Sequence, residues 1–466
     1  MADNSAAKEL KEKLMFTRKN GYERTDEREI SQIMEFAEDY KAFLDSAKTE
    51  REAVVAARAV LEAEGFKEYK KGMELKPGDK IFRCNRGKSL VISAIGTAPI
   101  SEGVRLCAAH IDSPRLDLKQ NPLYEDTDMA LFKTHYYGGI KKYQWTTIPL
   151  ALHGVIIKAD GTSVTVSIGE DENDPVFCVT DLLPHLAQEQ MKKPLAQGIS
   201  GEQLNVLIGS RPFLSDGESE GVKLNILNIL FEKYGITEAD FISSELEVVP
   251  AFKAKDIGFD RSMIGGYGHD DRCCSYPALR AAVHCTAPVH TSVTVLTDKE
   301  ETGSDGNTGL CSSYLEYFIA DLAEDLGSCG RDVLSASECL SADVNAAFDP
   351  TFADVNERNN CAYINKGVCI TKYTGARGKS GTSDASAEFT GRIRRLMDKE
   401  GVIWQTGELG KVDAGGGGTV AAYIADLDVD TIDIGVPVLS MHAPFEVISK
   451  LDLYNAYKAF VAFIND

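Results

Sequence analysis

Positive charge is scarce in this chain. Its 50 lysines and arginines stand against 71 aspartates and glutamates, a formal net charge of −21 over 466 residues. Such a surface repels phosphate backbones and anionic headgroups, so no nucleic acid and no membrane is expected as a partner. Long apolar runs are missing too. The nearest, from Leu224 to Phe231, falls far short of the roughly 20 residues that span a bilayer. None of the eleven cysteines forms a CxxC pair, and the adjacent Cys273 and Cys274 belong to no even framework. Reduced, mostly buried thiols in a reducing compartment are therefore expected. The stretch Met1 to Glu12 has no apolar core behind a basic start. No secretory signal is read there, and the expected location is cytoplasmic.

Catalytic signatures are missing as well. No histidine precedes a glutamate, which excludes the helical motif of single-zinc proteases. The Gly-x-Ser-x-Gly spacing occurs at Gly217-Glu218-Ser219-Glu220-Gly221, but in a polar stretch with no apolar strand directly before it, so no nucleophile elbow is read. Gly378-Lys379-Ser380 has the end of a phosphate loop, but Tyr373 stands where the cradle needs glycine.

Apolar residues, at 43 %, suffice for a large core. The length exceeds the roughly 250–300 residues that one core serves, so two domains are expected. From Glu27 to about Glu64, two apolar stripes (Ile30, Ile33, Phe36, Ala37, then Val54, Ala57, Val60, Leu61) predict two amphipathic helices. The segments 81–84 and 89–95 alternate around Arg86-Gly87, the pattern of a hairpin. Val104 to Ala109 is a buried strand ending at His110. Between 117 and 250 the texture turns β-rich, with a Gly- and Ser-containing loop near Gly217. Beyond it, strands at 292–296, 339–342 and 431–434 alternate with helices near 277–284, 308–324 and 383–399, and a last helix is predicted from about Glu446 to Ile464. The pattern predicts an α/β fold, a mixed β-sheet covered by helices on both faces, with residues 117–250 inserted as a second β-rich domain into a domain formed by 1–116 and 251–466.

Metal-type ligands cluster where the strands end. His110 and Asp112 lie two apart in extended chain and share a side. Glu300 and Glu301 follow the strand at 292–296, Asp343 follows 339–342, His442 follows the apolar run 436–441, and His269-Asp270-Asp271-Arg272 follows a glycine-rich turn. Ligands of open α/β sheets bind beyond the carboxyl ends of strands. Each residue alone has a plain explanation: a structural histidine, a solvated loop, or a helix cap for Asp343. Together, two imidazoles and several carboxyls make the mixed N/O set that suits a pair of divalent cations.

The segments Ala109-His110-Ile111-Asp112-Ser113-Pro114-Arg115, Asp298-Lys299-Glu300-Glu301-Thr302-Gly303-Ser304, Ser341-Ala342-Asp343-Val344-Asn345 and Ser440-Met441-His442 resemble, in order and across nearly the whole chain, the aspartyl aminopeptidase and vacuolar aminopeptidase I family. This resemblance implies a zinc-exopeptidase type of fold and a dinuclear metal-dependent aminopeptidase acting on peptides with a free N-terminus. By the same resemblance, His110, Glu301, Asp343 and His442 are terminal metal ligands and Asp270 is the bridge. Asp112 would orient His110, and Glu300 would be the general base. Zinc is the implied metal, although cobalt and manganese accept such ligands. His185 would reach a neighbouring subunit's site and steady the carbonyl oxyanion, within a large homo-oligomer, typically a dodecamer. Lys372 and Gly418 are substrate-contacting candidates, with a solvated lysine and a flexible loop as the plainer explanations. The Asp270–Asp271 peptide is expected to be cis. Asp270-Asp271 and the segment 375–384 resemble the bacterial aminopeptidase I type more than the aspartyl branch, so neutral or apolar N-terminal residues are at least as well suited as acidic ones. The rival reading, a metal-binding assembly or cargo protein without turnover, predicts loss of the base position, and Glu300 is present.

Overall fold

The computed structural model describes residues 4–214, 219–375 and 377–466. The loop expected near Gly217 lies outside them. Nine strands form the main sheet, ordered Lys67–Glu68, Lys80–Asn85, Ser89–Ala94, Ser292–Thr297, Arg105–His110, Glu338–Ala342, Asp430–Gly435, Val368–Thr371 and Trp404–Thr406. The four from Ser292–Thr297 to Asp430–Gly435 run parallel, while the hairpin 80–94 and the strand Val368–Thr371 add antiparallel pairs. The sheet is mixed, as expected.

Alternation along each central strand explains why both faces are covered. In Arg105–His110, Cys107 and Ala109 enter one apolar cluster and Leu106 and Ala108 enter another. The first cluster is completed by helices Glu27–Ser46, Glu50–Ala63, His269–His284, Ala387–Lys399 and Lys450–Ile464, the second by Tyr314–Asp325, Gly330–Ser335 and Ala421–Ala425. Each fully buried Leu, Ile or Phe stabilises this packing by about 1.5–3 kcal/mol. Local chemistry sets the helix starts: Asp26 caps Glu27–Ser46, and Thr49 with Glu52 forms a capping box on Glu50–Ala63.

A separate seven-stranded sheet, with its own apolar core, holds every strand between Arg115 and Pro250. Its strand Arg115–Asp126 spans residue 116, and Ser244–Pro250 ends at residue 250.

Helix boundaries depart from the predicted ones in four places. The helix predicted from 277 begins at His269, the one from 308 at Tyr314, and the one from 383 at Ala387. At the C-terminus Glu446–Ser449 is a strand, paired with Met263–Gly266 and Pro437–Leu439, and the helix starts only at Lys450. Ser449 explains the break, because its side chain accepts the N–H groups of Leu451 and Asp452. These strands belong to a third, five-stranded sheet, Lys255–Ile257, Met263–Gly266, Glu446–Ser449, Pro437–Leu439 and Asn345–Ala346.

Candidate metal centre

The main sheet and the small sheet meet at the candidate ligands. His110 is the last residue of its strand, Asp343 directly follows Glu338–Ala342, and Glu301 lies in the short 3-10 turn Glu300–Thr302 after Ser292–Thr297. The small sheet contributes the other two. Asp270 lies in the first turn after Met263–Gly266, at a backbone kink, and His442 lies in the turn after Pro437–Leu439. The Asp270–Asp271 peptide is cis.

Asp270 sits between the imidazoles. Its Oδ1 is 3.2 Å from His110 Nε2, and its Oδ2 is 3.3 Å from His442 Nε2. His110 Nε2 is 3.9 Å from Asp343 Oδ1, and His442 Nε2 is 3.6 Å from Glu301 Oε2. Two triads result, His110–Asp270–Asp343 and Asp270–Glu301–His442, each with ligand-type atoms within 4.8 Å of one another. Glu300 belongs to neither, yet its Oε2 is 3.8 Å from His110 Nε2.

Other groups hold these ligands in place. His110 Nδ1 lies 3.0 Å from the carbonyl oxygen of Asp112 and 3.2 Å from its Oδ1. Asp112 also accepts the backbone N–H groups of Glu300 and Glu301 and the hydroxyl of Tyr137, at 3.1, 3.2 and 2.8 Å. The sequence suggested only the contact with His110. Glu446 accepts the N–H of His442 at 2.7 Å and that of Asp270 at 3.1 Å. His442 Nδ1 is 2.7 Å from the carbonyl oxygen of Gly139. Nothing in the local sequence marked Glu446, whereas Tyr137-Gly138-Gly139, a glycine pair ending the strand Met129–Tyr137, was a signal that went unread.

Electrostatics show what the cluster lacks. Burial opposes charge on His110, but Asp112, Asp270 and Glu300 raise its pKa well above the usual value. Burial likewise opposes charge on His442, while Asp270 and Glu301 hold it up at about 10. Burial and neighbouring carboxylates push Glu301 and Asp343 well above the carboxylate range and bring Glu300 to about 7. Positive charge is in deficit. In addition, His110 Nε2, Asp270 Oδ1 and Glu301 Oε1 are buried and make no hydrogen bond. Leaving such atoms unsatisfied costs about 1–3 kcal/mol each. Three carboxyls and two imidazoles in the triads, with ligand-type atoms orphaned among them, fit a pair of divalent cations.

The remaining candidates are placed differently. Gly418 lines the cavity that opens on the cluster, together with Gly416 and Gly417. Lys372 does not line it; its Nζ pairs with Asp384 at 2.5 Å on the surface. His185 is exposed in the segment joining two strands of the seven-stranded sheet. Buried beside the site, Cys273 has its thiol pushed up to about 12 by burial, so it stays protonated.

A family model described as the aminopeptidase I zinc metalloprotease (M18) family matches residues 43–464. The chain belongs to that family. An M18 family aminopeptidase 1 of Clostridium acetobutylicum is 50% identical over 459 residues, 96% of this chain and 98% of that protein. The crystal structure of an M18 aminopeptidase from Thermotoga maritima matches with a TM-score of 0.92 at 44% identity, covering 97% of this chain and 99% of the other. The S. cerevisiae mApe1 dodecamer shares the fold with a TM-score of 0.74 at 20% identity, over 92% of this chain and 96% of the other. This M18 chain is thus a zinc metallo-aminopeptidase of the aminopeptidase I type, and the reading as an inactive scaffold is not favoured.

Proposed function

We propose that the chain is a dinuclear aminopeptidase, removing the N-terminal residue of peptides with two divalent cations per subunit. The observation that carries this reading is the pair of triads sharing Asp270. His110 and Asp343 would hold one cation, Glu301 and His442 the other, and Asp270 would bridge them. Zinc is the first choice, with cobalt and manganese also acceptable to this N/O set.

When bound, such a pair supplies Lewis acidity that makes water a nucleophile near neutral pH and polarises the scissile carbonyl. The protein's own part begins with Glu300. It stands beside the ligands without belonging to either triad. A carboxylate held there can accept a proton and return it. Glu300 takes the proton of the attacking water and delivers it to the departing amine nitrogen. Asp112 keeps His110 and the Glu300-Glu301 turn in register through the bonds described above. Gly416, Gly417 and Gly418 let the chain run close to bound peptide, because glycine has no Cβ. Lys372 is retained only as a rim contact, since Asp384 already neutralises it.

Residues 1–116 and 251–466 form the catalytic unit in this reading, and 117–250 the inserted dimerisation unit. Flanking the exposed His185, Leu182, Leu183 and Leu186 are 53%, 50% and 69% exposed. A neighbouring copy would cover such leucines. His185 would then enter that copy's site and steady the oxyanion, and assembly would continue to a dodecamer like that of mApe1. A cytoplasmic location is supported by the eleven free cysteines; no helix among the described residues is long and apolar enough to cross a membrane. The deciding experiment measures zinc per chain together with hydrolysis of aminoacyl fluorogenic amides and of their N-acetylated forms. Two zinc ions per chain and cleavage of the free-amine forms alone are expected; one ion, or equal cleavage of acetylated substrates, would refute the reading.

A further inference from the structure

A strap of backbone from the inserted domain reaches the metal cluster. It leaves the strand Met129–Tyr137 of the seven-stranded sheet as Tyr137-Gly138-Gly139. Among the described residues of 117–250, only Gly139 lines the cavity that opens on the cluster, where it joins Glu301 and His442.

Each residue of the strap meets a group on the Glu301 and His442 side. The Tyr137 hydroxyl donates to Asp112 Oδ2, the oxygen that also accepts the Glu301 N–H, while Oδ1 faces His110 and the Glu300 N–H. Gly138 comes so near Glu301 that a Cβ on it would stand 3.0 Å from Glu301 Oε2, and its φ of +74° favours glycine. Gly139 places its carbonyl oxygen 2.7 Å from His442 Nδ1, and a Cβ on it would stand 3.3 Å from the same nitrogen. A proton held on Nδ1 by that carbonyl leaves the Nε2 lone pair facing Asp270 Oδ2. The His442 side chain is 34% exposed against 1% for His110, so packing fixes its ring far less.

The other triad takes its support from elsewhere. His110 is held at Nδ1 by Asp112, and its N–H donates to Asp271 Oδ2 at 3.3 Å. Asp343 directly follows a main-sheet strand, and its N–H donates to the Ile434 carbonyl oxygen. All of these partners lie outside 117–250.

We propose that the inserted domain completes one half of the metal centre, its strap positioning Glu301 and His442 for the cation they share with Asp270. That cation is then bound only as tightly as the strap is seated, whereas the cation at His110 and Asp343 is held by the catalytic unit. The proposal rests on the dinuclear reading and makes the two cations unequal. Gly138 and Gly139 are positioning residues that act through the two ligands.

The test titrates the zinc-loaded enzyme with a competing chelator, which reads the release of the two ions separately. In Gly138→Ala the added methyl meets Glu301, and in Gly139→Ala it meets His442. In each variant one zinc affinity should weaken about tenfold or more while the other stays within about twofold. Gly139 lies outside the left-handed region, so its variant decides should Gly138→Ala fail to fold. Gly161→Ala is the control: it lies in the same domain at φ +83° with nothing near its Cβ, so it should lower the melting temperature and leave both zinc affinities unchanged. Hydrolysis by the strap variants should fall at limiting zinc and recover in excess zinc. Two affinities that both stay unchanged, or that weaken in equal proportion, would overturn the proposal and leave the dinuclear reading standing; a single zinc ion in the unaltered enzyme would remove both.

Discussion

Replacing Asp112 by asparagine tests how much of the metal centre depends on one carboxylate that touches no substrate. Oδ1 receives the Glu300 N–H and lies beside His110 Nδ1, and Oδ2 receives the Glu301 N–H and the Tyr137 hydroxyl. An asparagine has one oxygen. Whichever way it turns, its NH2 group faces a backbone N–H donor, and the bonds on that side are lost along with the charge. Hydrogen bonds to a charged group contribute about 1.5–3 kcal/mol each, so losing two costs about 3–6 kcal/mol. Part of this falls on folding and part on the metal, because His110 loses its orienting carboxylate and the Glu300-Glu301 turn loses its anchor. Groups that orient ligands in this way typically govern about 10–100-fold in metal affinity or activity. Competition with a chelator gives the zinc affinity, and thermal melting with and without zinc gives the stability share. Zinc affinity and kcat both within about twofold of the unaltered enzyme would refute the reasoning, since the four contacts would then carry no energy.

Glu300→Gln should keep both zinc ions yet lower kcat by about 10²–10⁴, the usual worth of a general acid–base group; metal analysis beside steady-state kinetics checks it, and retained turnover rejects the role. His185→Ala should lower kcat while light scattering finds the oligomer intact, and an unchanged rate would return that residue to a surface role. Removing the metals with a chelator should abolish hydrolysis and lower the melting temperature, because the carboxyls of the cluster then repel one another; added zinc should restore both. A pH effect is expected from His153, which lies 2.7 Å from Glu52 and 3.1 Å from Glu170. Burial opposes its charge, but the two carboxylates raise its pKa above 6.5. Its contribution to stability is therefore complete below 6.5 and lost as pH rises through the raised value. Melting of His153→Gln against the unaltered protein should differ most in acid and converge in alkali; a constant difference would contradict this.

Much of the catalytic unit was legible in the sequence because its signals are local. Apolar runs such as 104–109 and 292–296 mark buried strands wherever they occur, and a histidine or carboxylate at or shortly after the end of each is visible without knowing its neighbours. The hairpin around Arg86-Gly87 and the two amphipathic helices between Glu27 and about Glu64 were equally plain. The C-terminal boundary was not, since Glu446–Ser449 carries apolar residues that suit a helix as well as a strand, and pairing on both edges made the choice. Glu446 carries no local signal for a related reason: it is an ordinary residue on an ordinary strand until the N–H groups of His442 and Asp270 come into contact with it.

By itself, the sequence determined the covered α/β sheet, the β-rich segment inserted into it, and the set of residue types able to bind cations, because periodicity and residue chemistry are written along the chain. Only the tertiary structure decided how those residues are divided. Asp270 stands between two imidazoles because a small second sheet carries it and His442 to the ends of the main sheet's strands. Such closeness follows from the packing of segments more than a hundred residues apart, a property that no local pattern encodes.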